Sequence, residues 1–451
     1  MRDKVNDFLD KICSHIRCKS AHNEIRTELM GHIEEMQNDG ITIEKALSSM
    51  GDCAEIGAKL DKQHRPQIDW LLIGLVGFIS IVGILMMRWG NDPRLGSFER
   101  YILWAGIGVA IAIGLMFFDY TKFEKLALPL YFFSTIFILF GIFRGARING
   151  AVWIQIGSIN ISTSITIVPF LMSFVGFMNR FRAQGLNGVF KLIILGAISV
   201  FMIMLVPSTS NALILLFSYA VLLFVSVNKN LFEGNMKLQK RFLYAGCLLS
   251  LGVIAVFVTA HSYRIDRILN FFTRFDSQGA NWQNIQLKRL LSISKWFGNI
   301  GLVDGYDPHN FLPGLTTDLA LANVIITFGW VVGIALIFAI ISLIVRLFTV
   351  TRKIKNSFGF YITLAICVAL STQFIISVLL NLGMFPIISL SLPFVSYGGI
   401  AYVCNMILIG LMLSVWRRNN ILEADSKQPC ISKIPIFEYA DGKLIVNLKR
   451  K

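Results

Sequence analysis

Apolar residues fill this chain in long blocks separated by short polar connectors. Ten blocks start near Trp70, Tyr101, Leu126, Ile161, Val189, Ala212, Phe242, Leu319, Phe358 and Gly399. At about 1.5 Å of rise per residue, each is long enough, or nearly so, to cross a hydrocarbon layer of roughly 30 Å. The pattern predicts an all-α polytopic membrane protein with about ten transmembrane helices.

The first 66 residues follow another rhythm. Val5, Phe8, Leu9, Ile12 and Ile16 recur at helical spacing, and so do Ile25, Leu29, Ile33 and Met36. Ser20 and Thr42 stand where N-caps belong, and Asn38-Asp39-Gly40 and Gly51 where helices stop. This predicts a bundle of three or four short helices over 1–66, facing the cytosol. His64-Arg65-Pro66 leads into the membrane block, 67–418. In the tail, 419–451, alternating apolar residues flank Asp441-Gly442, a strong signal for a two-residue β-hairpin. An isolated hairpin is marginal, so it is expected to dock, with the N-terminal bundle as one candidate.

Three stretches break the pattern. The connector from about 262 to 318 is far longer than the others and carries Trp282, Phe297, Tyr306 and Phe311. Loops of that length are commonly functional, and its aromatic content predicts short amphipathic helices on the outer face. Asn381–Gly399, NLGMFPIISLSLPFVSYGG, puts two prolines, serines, a tyrosine and a Gly-Gly pair between apolar blocks. Such backbone survives at membrane depth only where protein or a wet cavity surrounds it; a plain loop between spans is the other reading. Pro207, in LVPSTSNALI, marks a smaller break.

Composition agrees with a membrane protein: 55% of residues are hydrophobic and only 15% charged, where a soluble chain carries roughly a quarter. Mean hydropathy is +0.64. The net charge of +15 is explained by basic cytoplasmic loops and anionic lipid rather than by nucleic acid. Lys and Arg cluster in DYTKFEK, MNRFRAQGLNG, NKNLFEGNMKLQKR, FTVTRKIKNS and the tail from Arg417. That places both termini in the cytoplasm of a multi-pass plasma-membrane protein, although Arg88, Arg94, Arg144 and Arg147 fall on the outer side. The charged start, MRDKVNDFLDK, has no apolar core of a cleavable signal. Seven cysteines avoid the outer loops, so no disulfide framework is expected. Cys13 and Cys18, with His15 and His22 near, lack a second ligand pair and read as helix surface or core rather than metal ligands. His32 and Glu35 read as a solvated helix face.

No phosphate loop, dinucleotide fingerprint or zinc motif occurs. The informative polar group is Asp318, in FLPGLTTDLALANV, at the end of the long outer connector. An ionisable residue at membrane depth is a functional candidate, and an Asp directly before a helix is also a good N-cap. Arg144 and Arg147 could pair with phosphate, or snorkel to the interface.

LSLPFVSYGG, preceded by NLGMFP and followed by a span ending LSVWRRN, closely resembles the C-terminal signature of the SEDS family (shape, elongation, division and sporulation). FLPGLTTDLALA followed by FGWVVG is similar to the family's FLPExHTDFIFA region. The resemblance covers roughly 70 to 418. The stretch GHIEEMQNDGITIEKALSSMGDCAEIGAKL, outside it, resembles a helical prefix domain found ahead of some bacterial permeases and sensors.

The resemblance implies a bacterial peptidoglycan glycosyltransferase that polymerises lipid II beside a class B penicillin-binding protein, in cell-wall synthesis, cell shape or division. It implies Asp318 as catalytic base. Thr317, Gln286, Pro393, Ser396, Tyr397, Gly398 and Gly399 would line the substrate cavity, with Arg144 and Arg147 as cations for the pyrophosphate. No cofactor is firmly implied; a divalent cation could share that charge. The family's polar set is depleted here. Its histidine before Thr-Asp is Thr316, its Glu pair is Ile326 and Thr327, its QPSE…K motif reads Ser162, Thr163, Ser164, Ile165 and Val168, and Ser208 replaces an aspartate after Pro207. INGAVW lacks the arginine of NGAxRW, and GANWQNIQL keeps only Gly279 and Gln286 of its counterpart. A lipid-linked precursor transporter and a non-catalytic regulatory paralogue are the alternatives within the fold.

Overall fold

The computed structural model describes residues 2–16, 22–63, 67–90, 97–148, 151–157, 159–206, 208–259, 282–303, 307–308, 312–420, 437–440 and 443–446. The chain divides into two compact units, one of Met1–Ile68, Ile354–Gly359 and Trp416–Lys451, the other of Asp69–Lys353 and Phe360–Val415.

In the smaller unit, helices α1 (Arg2–Ser14), α2 (His22–Asn38), α3 (Ile43–Met50) and α4 (Cys53–Gln63) form the N-terminal bundle. Ile12, Ile16 and Ile25 make one buried cluster, covered by Phe8, Leu29, Cys53, Ile56 and Leu60. Val5, Leu9 and Ile33 make a second, covered by the two clusters' shared Leu29 and by α3. The helical periodicity of the sequence is thus the core of the bundle. Thr42 occupies the N-cap of α3 without a side-chain bond, and Gly51 ends that helix at φ 97°. Ser20 and Cys18 lie outside the described residues. Strands Phe437–Ala440 and Lys443–Val446 pair antiparallel around 441–442.

Eight segments of the chain are long and apolar enough to cross a membrane, judged by length and composition among the described residues. One of them, Thr163–Leu205, holds two helices, and Met236–Thr259 is a further helix of 24 residues outside that set. In order the long helices are α5 (Trp70–Trp89), α6 (Ser97–Phe117), α7 (Phe123–Arg144), α8 (Ile167–Phe181), α9 (Gly185–Leu205), α10 (Thr209–Asn228) and α11 (Met236–Thr259). After the short α12 (Trp282–Ile293) come α13 (Ala320–Phe328), α14 (Trp330–Arg352), α15 (Ser357–Asn381) and α16 (Gly399–Arg418). Large apolar side chains point outward from the helices; Phe143 is 81% and Phe338 71% exposed. In water such a surface would drive aggregation; against acyl chains it is the solvated face. The molecule is an all-α, multi-pass membrane protein.

Two details differ from the expected blocks. The fourth block does not begin as a helix at Ile161. Residues 146–162 form a three-stranded antiparallel sheet, β1 (Ala146–Ile148), β2 (Ala151–Ile156) and β3 (Ile159–Ser162), with Trp153 opposite both Ala146 and Ser162. Val152 and Ile154 are buried on one face. Helix α8 starts only at Ile167, after a 3₁₀ turn. The eighth block does not run unbroken from Leu319. Its helix stops at Gly329, at φ 95°, and the span proper is α14. A Cβ at Gly329 would stand 2.5 Å from the Trp296 carbonyl oxygen, so the break needs a residue without one. The short α13 is enclosed on all sides, from 0% exposure at Ala320 to 6% at Thr327.

At the start of α5 the Asp69 carboxylate accepts from the Leu72 amide at 3.0 Å and from Arg346 of α14 through two guanidinium nitrogens at 2.9–3.1 Å. Asp69 is buried. This bidentate pair ties the two helices in register at one end.

Candidate functional site

The site is built from three stretches distant in sequence: the turn Leu312–Leu319, the C-terminal end of α15, and the irregular segment 382–398. Helix α15 ends in a Schellman turn. The amide of Met384 donates to the Leu379 carbonyl at 2.9 Å and that of Gly383 to Leu380 at 3.0 Å, with Gly383 at φ 69°. The stem of Lys288, from α12, lies across Gly383 where a side chain would otherwise stand.

Asn381, in the last turn of this helix, is fully buried and reaches the Asp318 turn. Its Nδ2 donates to the Asp318 carbonyl at 3.0 Å and to the Ser377 carbonyl at 2.8 Å. Its Oδ1 accepts from the Ala322 amide, in the first turn of α13, at 3.0 Å. The cap that Asp318 was expected to supply therefore comes from Asn381. The position before Ala320 is Leu319, without a side-chain cap. The Asp318 carboxyl instead lies near the Ser389 hydroxyl and the Leu390 amide, both of which favour its charged form. Burial outweighs those two groups and pushes its pKa up from the ordinary 3.8 to about 6.

The SYGG stretch braces the other side. The Tyr397 amide donates to the Thr316 carbonyl at 2.7 Å. Phe394 holds φ 66°, unusual for a residue with a side chain. Its carbonyl accepts the Tyr101 hydroxyl at 2.6 Å, which fixes the bend. At Gly83 of α5 a Cβ would meet that same carbonyl at 2.7 Å and Val395 Cα at 2.9 Å, so glycine is what lets α5 approach. Ser396 is buried, and its hydroxyl accepts the Leu392 amide at 2.8 Å. It shapes the turn rather than facing a ligand. Pro393 is buried beside it, while Tyr397, Gly398 and Gly399 are half-buried. Gly399 opens α16 against Trp104. Ser210, at the start of α10, donates to the Ser389 carbonyl at 2.6 Å, and Gln373 Nε2 to the Ser391 carbonyl at 3.0 Å.

The remaining expected residues are placed less centrally. Thr317 is half-buried, and its amide bonds the Gly314 carbonyl within the turn at 3.1 Å. Gln286 is half-buried on α12, but that helix bonds the turn through Gln283, whose Nε2 donates to the Pro313 carbonyl at 2.7 Å. Arg144 is exposed at the end of α7, and Arg147 lies in β1 with its side chain outside the described residues. Pro207, Gly279 and the loop residues Tyr306 and Phe311 also fall outside them. Ile326 is fully buried, and Thr327 bonds Asn323 at 3.2 Å; these positions pack. Asn381, Ser389, Gln283 and Lys288 were not singled out from the sequence. The signal for Asn381 was its place at the head of the irregular stretch; for the others there was none. A separate apolar groove, with an empty volume of about 390 Å³, is lined by Phe174, Gly196, Tyr219, Leu223, Leu243 and Cys247.

Known proteins share this fold. The family model described as "Cell cycle protein", covering FtsW, RodA and SpoVE, matches residues 66–421. The chain is 25% identical over 371 residues to a probable peptidoglycan glycosyltransferase FtsW of Trichlorobacter lovleyi, covering 77% of this chain and 93% of that one. It is 23% identical over 365 residues to stage V sporulation protein E of Bacillus subtilis, covering 77% and 97%. Among solved structures, a peptidoglycan synthase complex that coordinates polymerization and crosslinking contains a chain similar at TM-score 0.61 and 22% identity, covering 78% of this chain and 98% of that one. The rod shape determining protein RodA of Thermus thermophilus is similar at TM-score 0.55 and 21% identity, covering 78% and 97%. With eight segments long and apolar enough to cross a membrane among the described residues, the SYGG turn bonded to the Thr-Thr-Asp turn, and a family match over most of its length, this chain belongs to the FtsW/RodA/SpoVE family.

Proposed function

We propose that this protein is a peptidoglycan glycosyltransferase of cell-wall synthesis, polymerising lipid II at the outer face of the bacterial plasma membrane with Asp318 as general base. The observation that carries the reading is the environment of the Asp318 carboxyl. It is half-buried beside the Ser389 hydroxyl and the Leu390 amide, and burial raises its pKa to about 6, near the pH at which a base must work. The carboxylate takes the proton of the acceptor sugar's 4-hydroxyl. That oxygen forms a bond to the donor's anomeric carbon as the bond to undecaprenyl pyrophosphate breaks, and the pyrophosphate carries the charge away. Arg144, Arg147 and Lys288, whose stem crosses Gly383, are the candidate cations for that charge. Among the described residues no three His, Cys, Asp or Glu side chains gather to hold a metal ion. Thr317, Gln286, Pro393, Tyr397, Gly398 and Gly399 border the substrate in this reading, and a class B penicillin-binding protein crosslinks the product. Both termini are cytoplasmic, and the regions 1–66, 67–418 and 419–451 act as bundle, catalytic unit and tail.

A second reading, a regulatory paralogue without turnover, is favoured by one observation: Ile326 and Thr327 pack into the protein at the positions where the family resemblance implies a glutamate pair. One assay separates the two. Purified full chain with lipid II and its class B partner makes glycan strands resolved by gel, and Asp318→Ala makes none. If the wild type is inert while a RodA control polymerises under the same conditions, the enzyme reading fails and the regulatory one stands.

A further inference from the structure

The geometry assigns the end of α15 and the segment after it a positioning role: Asn381 ties the main chain of Asp318 to the first turn of α13, and Ser389, beside the carboxyl, tunes its charge. This deepens the proposed function and rests on its reading of Asp318 as the proton acceptor.

The argument starts from the hydrogen-bonding capacity of a buried amide. Asn381 is 0% exposed and lies between two carbonyls and one amide. Its Nδ2 faces the carbonyls of Asp318 and Ser377, and its Oδ1 faces the Ala322 amide. The flipped rotamer would set an oxygen against two oxygens and an NH2 against an N–H, so only one orientation is compatible with the site. The third amide of a helix is ordinarily satisfied by a side chain just ahead of it. Here the cap position is Leu319, whose side chain cannot accept, so Asn381 supplies the acceptor for the Ala322 amide while donating to the Asp318 carbonyl. The Asp318 carboxyl lies beside Ser389 and Leu390. Ser389 is in turn anchored through its carbonyl by Ser210 at 2.6 Å. Asn381 and Ser389 thus have opposite expected effects on the carboxyl. Without Asn381, the Ala322 amide is open and the Asp318 turn is released toward the N-terminus of α13, which favours the charged carboxylate. Without the Ser389 hydroxyl, the carboxylate loses a nearby dipole that favours it.

The test measures glycan-strand formation by the full chain with lipid II and its class B partner across about pH 5 to 8, for wild type, Asn381→Ala, Ser389→Ala and Asp318→Asn. Carbodiimide footprinting of Asp318 by mass spectrometry over the same pH range reads the carboxyl independently of turnover. Asn381→Ala is expected to lower kcat on the order of tenfold to a hundredfold, with KM changed by less than about threefold, and to move the acid limb and the footprinting midpoint to lower pH. Ser389→Ala is expected to move both to higher pH. A folded, monodisperse Asn381→Ala whose limb and midpoint stay at the wild-type pH overturns the inference, even if its rate has fallen. If Asn381→Ala does not fold, Ser389→Ala decides: an unmoved midpoint overturns the inference. Asp318→Asn separates the two levels. If it keeps the wild-type rate, the base reading fails. If it is dead while both other variants titrate like wild type, only the positioning role fails.

Discussion

At the residue scale the decisive contrast is between two acids treated in opposite ways. Buried Asp69 is paired with a guanidinium through several bonds, whereas half-buried Asp318 has two neutral groups beside it. The first arrangement serves structure, and the second leaves a carboxyl near its titration point. If Asp318 is the base, as proposed, activity needs the carboxylate, and glycan-strand formation is expected to fall as pH drops through about 6, read from the acid limb of a pH–rate profile. The stability effect has the opposite sign. A folded-state pKa above the ordinary 3.8 means the protonated form is the better-tolerated one. Its contribution is complete below the ordinary value and is lost as pH rises through about 6. Asp318→Asn should therefore be inactive yet melt higher at neutral pH, by at most ~3 kcal/mol, with the gain fading toward pH ~4 in thermal melts. Tyr101→Phe removes the hydroxyl that holds the Phe394 bend and should cost about 1 kcal/mol in the same melts. The carboxyl at 318 was legible from the sequence. Its freedom from capping was not, because the residue that displaces it comes from 63 positions away.

At the element scale, the breaks in helices matter more than their lengths. Gly329 separates the enclosed α13 from the span α14, and this keeps the Asp318 turn at one end of a short, immobilised helix. Apolar periodicity cannot show such a break, since LALANVIITFGWVVGIAL is hydrophobic throughout. Only the left-handed backbone and the approach of Trp296 reveal it. Gly329→Ala should destabilise by 2 kcal/mol or more, roughly, because strain and overlap act together, and chemical denaturation in detergent would measure it. The sheet at 146–162 was missed for a different reason. Ile148-Asn149-Gly150-Ala151 carries the hairpin dipeptide and Ala151–Ile156 alternates, but apolar blocks on both sides masked the shorter period. At the opposite kind of contact, Arg346→Leu leaves Asp69 buried without its partner. A loss of about 3–5 kcal/mol is expected, visible as reduced recovery of monodisperse protein.

At the scale of the whole molecule, two units share one chain. The bundle has its own two-part core, and the site contacts fall within the larger unit. Deleting residues 1–66 is expected to leave lipid II polymerisation intact and to abolish co-purification of a partner that docks on the bundle. A truncation that retains the partner but loses polymerisation would assign the bundle to the catalytic unit instead.

The sequence by itself determined the class of molecule. Transfer free energy depends on composition over some twenty residues, so apolar blocks report their membrane helices without knowledge of neighbours. It also determined the bundle core, because helical periodicity is local, and the family resemblance, because SYGG and Thr-Thr-Asp are contiguous words. The tertiary structure alone decided how those words meet. Tyr397 binds Thr316, Asn381 binds Asp318 and Ala322, and Tyr101 binds Phe394, each across a separation that local periodicity cannot encode. Those long-range bonds satisfy backbone groups that a membrane interior would otherwise leave unpaired, and in satisfying them they hold the Asp318 turn against the segment from Asn381 to Tyr397.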